Sequence, residues 1–200
     1  MSFPPAHMLV GAGLGEVAWS ANPRVPRKLA WAVAAFMGAL PDVDIVIGWA
    51  TGRGPIVHGT FTHSLSALIL CTLLVVGIAG PRWGTVTFLG YGSHLLVDLM
   101  DQRGTTNVTL GWPFSHAWAD GIDPIFKSVP VITDRGPVAA VESVLSGPAL
   151  VLLLEQTAMA AVFCVALFAL ARGIRAARAR WAAVPVLDLS TGDPGEGLSA

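Results

Sequence analysis

The chain has 200 residues, 54% of them hydrophobic and 12% charged, with mean hydropathy +0.64 and net charge −1. A soluble domain carries about 25% charged residues, so this composition excludes an ordinary soluble protein and points to a multi-pass membrane protein with room for one compact domain. The near-neutral charge gives no field for nucleic acid, and Cys71 and Cys164, each in an apolar run, read as small hydrophobes and not as a disulfide or a zinc cage.

Five segments are expected as bilayer helices, making an all-α, multi-pass transmembrane bundle of four to five spans; a span takes about 20 residues. The first, 6–20, is short, Gly-rich and carries Glu16; it is marginal as a span and suits a re-entrant or interfacial helix. The second, 29–50, is interrupted by Pro41, Asp42 and Asp44. The third, 64–80, and the fifth, 148–171, qualify well, Glu155 lying in the fifth. The fourth, 83–100, carries His94 and Asp98. Ser64 is expected to cap the third helix, and Glu16 to pair with a basic residue. Residues 101–147 form a long outer loop with Trp112, His116, Trp118, Asp120 and Asp123, in which 137–147 suits a short amphipathic helix. Residues 1–180 then make one membrane-embedded domain and 181–200 a flexible tail. The opening stretch lacks the basic start of a secretory signal, so insertion is expected from the internal spans.

Basic residues set the orientation. Arg24, Arg27 and Lys28, then Arg82, then Arg172, Arg175, Arg178 and Arg180 fall on one face of the alternation, against Arg53, Arg103, Lys127 and Arg135 on the other, eight against four. The C-terminus is therefore expected in the cytoplasm. His7, Asp42, Asp44, His58, His63, His94 and Asp98, from four segments, then fall at one depth near the outer side.

Ionisable residues in apolar spans are costly unless paired, solvated or bound to a cation. His94 and Asp98 are four apart and share one helix face; the plainer reading is an ion pair that fixes helix packing. His58 and His63, alone, could be two solvated loop histidines. Asp42 and Asp44 are two apart and point to different sides of a regular helix. One is expected to be a ligand and the other to orient a histidine, with the assignment open. Histidine with carboxylate suits zinc, manganese or iron. A catalytic zinc needs about three protein ligands and an open position. Seven candidates exceed that, which suggests two ions, or one ion with a carboxylate base. Asp44 and Asp98 are the aspartates expected to serve catalysis.

The ordered set GALPDVD, HGTFTHS, GSHLLVD and GWPFS resembles the YdjM-like family, described as bacterial inner-membrane metal-dependent hydrolases and as LexA-binding. The resemblance covers about residues 1–116. It implies metal-binding roles for His7, for Asp42 and Asp44, for His58 and His63, and for His94 and Asp98. The family's arginine after the first paired histidine is replaced here by Gly59. Together these readings give an inner-membrane metal-dependent hydrolase acting through metal-activated water on an ester of a lipid or lipid-linked substrate. The rivals are a structural or regulatory metal site without catalysis and, third, a metal transporter, for which only Glu16 and Glu155 continue a path across the membrane.

Overall fold

The computed structural model describes residues 3–53, 58–101, 108–119, 121–122, 125–132 and 134–182. These residues form α-helices and two short 3-10 turns, with no strand among them. Helix α1 (Pro4–Ala21) starts on two prolines, whose missing N–H groups cost nothing in a first turn. Helix α2 (Arg27–Ala39) follows Pro26 and runs into Pro41. There the chain tightens into a 3-10 turn, Leu40–Asp42, before α3 (Val43–Thr51) resumes and stops at Gly52, which holds φ 65°. A second 3-10 turn, Phe61–His63, leads into α4 (Leu65–Ala79). The Ser64 hydroxyl caps α4, accepting from the Ala67 N–H at 3.1 Å. Gly80 alone separates α4 from α5 (Pro81–Leu99). Helix α6 (Pro137–Val144) is short, and α7 (Gly147–Ala182) runs for 36 residues.

Helix α1 packs against α2, α5 and α7, and α4 packs on α5. The approach is close because small residues line it. A Cβ on Gly90 would stand 2.5 Å from the Ala34 carbonyl oxygen, and one on Gly38 would stand 2.7 Å from that of His7. Only hydrogen fits at either place, so α2 lies pressed between α1 and α5 as packed membrane helices do. Away from the site, Glu16 accepts from Arg27 Nε at 2.8 Å, Trp31 Nε1 at 2.7 Å and Arg175 Nη1 at 2.7 Å, tying α1, α2 and α7 at one end. Glu155 meets Lys127 at 2.7 Å on the surface.

Two elements differ from expectation. The third segment is a helix of 15 residues, about 22 Å at 1.5 Å per residue, which is short of a bilayer span by itself. The fifth does not end at residue 171 but carries its basic run as helix to Ala182, since Ala and Arg are both strong helix formers. Among the described residues two segments are long and apolar enough to cross a membrane, Arg27–Thr51 and Gly147–Ala182. The outward faces of α4 and α7 are apolar: Leu70 is 71% exposed, Ile78 78% and Val165 70%. A surface of that kind is unfavourable against water and suits hydrocarbon. Arg103, Asp120, Asp123 and the tail from 183 lie outside the described residues.

Candidate metal centre

Five side chains converge between the ends of α1 and α5, the Leu40–Asp42 turn and the Phe61–His63 turn. His63 Nε2 lies 3.0 Å from His94 Nε2. Asp98 Oδ2 stands 3.2 Å from His94 Nε2 and 3.5 Å from His63 Nε2. Asp42 Oδ1 is 3.7 Å from both nitrogens. The His7 ring stacks on that of His94 with centroids 3.8 Å apart, and its Nε2 is 3.4 Å from Asp98 Oδ1. His7, His63 and His94 have no solvent exposure.

The far nitrogens of the two facing rings are already committed. His94 Nδ1 is 2.7 Å from the Gly38 carbonyl oxygen and His63 Nδ1 is 3.1 Å from Asp44 Oδ2. A carbonyl and a carboxylate only accept, so both Nδ1 atoms carry protons. Neutral rings then aim two Nε2 lone pairs at each other across 3.0 Å, beside two carboxylates. That arrangement requires a cation, either a proton or a metal ion. Corners of a tetrahedron around an ion with bonds of about 2.1 Å stand roughly 3.4 Å apart. The edges of the triangle His63 Nε2, His94 Nε2, Asp98 Oδ2 bracket that value. Both nitrogens of His7 and Oδ2 of Asp42 are buried without a hydrogen-bond partner among the described residues, and buried polar atoms of this kind need an explanation. The donor set fits a divalent ion of the zinc, manganese or iron type. When no ion is bound a proton serves: burial by itself lowers the His63 pKa, but contacts with Asp42 and Asp44 and the charge of Asp98 outweigh it and raise it to about 10.

Asp44 and His58 stand on the other side of His63. Asp44 Oδ1 accepts from His58 Nδ1 at 2.9 Å, and Oδ2 accepts from the Gly59 N–H at 3.0 Å and from the Thr62 hydroxyl at 2.7 Å. Asp44, His58 and His63 also form a compact triad, but His63 enters it through Nδ1, which is protonated. Asp44 is thus a clamp on the His63 ring. The 3-10 turn at Pro41 turns Asp42 towards the Nε2 atoms and leaves Asp44 behind them. His116 is exposed on its loop, apart from the cluster.

Three contributors escape a reading of charged residues. The Thr62 hydroxyl touches both Asp44 and, at 3.0 Å, His63 Nδ1. The Gly38 carbonyl fixes the His94 tautomer. The Tyr91 hydroxyl donates to the Thr62 carbonyl at 2.6 Å, anchoring the turn to α5. For the second, Gly38 and Gly90 were the one trace in the sequence, readable only once their partners are known. Thr109 pins the same loop from outside, its N–H reaching the Gly59 carbonyl at 3.0 Å.

The sequence model of a family described as YdjM inner membrane protein matches residues 1–182. The chain belongs to the YdjM family. Comparison with curated proteins and with solved structures gives no match. Membership places the protein in the inner membrane, in contact with the bilayer. The exposed apolar faces of α4 and α7 are the surfaces such a YdjM protein offers to lipid. All the converging side chains fall inside the matched residues.

Proposed function

We propose that this chain is an integral-membrane, metal-dependent hydrolase acting on a phosphoester, or another ester, of a lipid or lipid-linked substrate. The observation that carries this reading is the pair of Nε2 atoms facing at 3.0 Å beside Asp98, with both Nδ1 atoms tied back. His63, His94 and Asp98 would hold one divalent ion, zinc first and manganese or iron as substitutes. His94 Nε2 has one lone pair and is shared by the sets with His7 and Asp98 and with Asp42 and His63, while the set Asp44, His58 and His63 would draw on the protonated Nδ1 of His63; both facts favour one ion over two. A bound ion of this kind lowers the pKa of water to about 7. Asp42, at the edge of the triangle, would be the proton acceptor beside such an ion, in place of Asp44 or Asp98, which the sequence alone put forward. Asp44, Thr62 and the Gly38 carbonyl orient the two rings. His7 closes the wall behind His94. Helices α1, α4 and α5 complete a bundle of four to five spans around the two longer ones, with the centre on the outer side and the C-terminus in the cytoplasm.

Five donors around one point also favour a closed, structural or regulatory shell, and the two readings separate experimentally. Protein purified in detergent is expected to hold about one ion per chain, to lose it in both His94→Ala and Asp98→Ala, and to release product from a phosphoester lipid only when loaded. Unchanged metal content in both variants removes the metal reading; bound metal with no hydrolysis of lipid esters leaves the structural one.

A further inference from the structure

A cavity of about 400 Å³ opens beside the centre, between α3, α6 and the start of α1. Its walls are Phe3, Ile45, Val46, Trp49, Val141 and Leu145, and the one ionisable side chain on it is Asp42. Asp42 therefore stands between the cavity and the centre, and only its carbon atoms open onto the cavity. Its Oδ1 faces His63 and His94, while its Oδ2 is buried without a hydrogen-bond partner among the described residues. The volume lies in the range of small-molecule sites, yet a site for a water-soluble ligand would present several polar groups. The rim is apolar as well: Val46 is 56% exposed, Val141 59% and Leu145 65%. In an inner-membrane protein such a rim faces hydrocarbon, so the groove is entered sideways from the lipid and not from water.

We propose that this groove is the tail-binding site of the substrate: it takes one hydrocarbon chain of a phosphoester lipid and brings its head past Asp42 to the metal centre. The proposal rests on the hydrolase reading above and adds the substrate's form, an amphiphile with an apolar chain and an oxygen-rich anionic head. A purely polar phosphoester leaves the groove empty, and a headless alkane gains nothing at the metal centre. The groove belongs to α3 and α6, outside the His63, His94 and Asp98 triangle, so it can be filled without touching the ligands.

The test uses the full chain in nanodiscs with added zinc and two photoreactive probes, a phosphatidic acid with a diazirine in one acyl chain and a diazirine alkane with no head. The expected result is several-fold stronger labelling of Ile45, Val46, Trp49 and Val141 by the phosphate-headed probe. Val141→Trp, at a half-open position, is expected to abolish that excess with zinc content unchanged, and Val46→Trp to do the same from the opposite wall. Equal labelling by both probes, or an excess that survives both tryptophans, overturns the proposal and shows the groove to be ordinary lipid-facing surface. Zinc content on the same samples reports the metal reading separately: selective labelling of a chain that holds no zinc overturns the placement of the head on a metal. Zinc without selective labelling overturns the groove and leaves the metal centre standing.

Discussion

The difference between Asp42 and Asp44 shows how much a single residue's role depends on backbone geometry. Both are acids two positions apart, and a regular helix would send them to different sides, as it should. What the spacing leaves open is which side faces the histidines. The 3-10 turn at Leu40–Asp42 decides it, and that turn follows from Pro41 lacking an N–H to give. His7 is a similar case. By itself it is one histidine near an N-terminus, yet it is fully buried and stacked on His94. Thr62 was opaque because a threonine in a polar loop has many uses, and nothing in its neighbours announces a hydroxyl held 2.7 Å from one carboxylate oxygen. Its role makes a prediction. Orienting partners of metal-bound histidines are typically worth 10–100-fold in affinity. Thr62→Val keeps the shape, removes the hydroxyl, and is expected to weaken zinc binding by about that factor, while Thr62→Ser restores it. Competitive titration against a chromophoric chelator measures both. Wild-type affinity in the valine variant would show that Asp44 holds the ring without help.

At the scale of elements, the order and approximate position of the helices were legible, because apolar runs broken by Pro and Gly mark them out. Their ends were less so. Helix α4 stops at Ala79 because Gly80 turns the chain at once into α5, and the basic run after residue 171 is helical because charge does not break a helix built on alanine. The tight contact of α2 with α5 was not legible. A glycine in an apolar segment signals close approach only once its partner is known, and the partner of Gly90 is the Ala34 backbone, 56 positions earlier in sequence. Substitution there should be felt at the site. A Cβ at Gly90 meets backbone, which cannot rotate away, so Gly90→Val forces α2 and α5 apart. Overpacking of this kind costs about 1–3 kcal/mol. The Gly38 carbonyl on α2 and His94 on α5 lie on the two sides of that contact. We expect Gly90→Val to lower both the melting temperature and the zinc content, whereas Gly77→Val, where a Cβ would meet nothing within 4 Å, is expected to change neither. Equal effects of the two would mean that the α2–α5 spacing does not govern the centre.

For the whole molecule, the separation of two chemistries along the bundle is the feature that orients it. Glu16 gathers Arg27 and Arg175 at the end of α1 that lies away from His7, and Arg178 reaches the Ser20 carbonyl at 3.0 Å at that same end. The His and Asp cluster occupies the other end. Basic side chains near span ends are retained on the cytoplasmic side, so the arginine end is expected inside and the candidate metal centre outside. The loop residues Thr109 and Leu110 lie at the His and Asp end, because they bond to Gly59, Thr60 and Leu65 on either side of the His63 turn. Two exposed positions test the orientation without disturbing either cluster. Phe114, 92% exposed, follows that loop, and Trp181, 81% exposed, ends α7. In a Cys71→Ala, Cys164→Ala background, Phe114→Cys is expected to react with a membrane-impermeant maleimide from outside spheroplasts. Trp181→Cys is expected to react only after the membrane is opened. If the pattern is reversed, the centre faces the cytoplasm, and the lipid it meets through the Asp42 groove comes from the inner leaflet instead of the outer one.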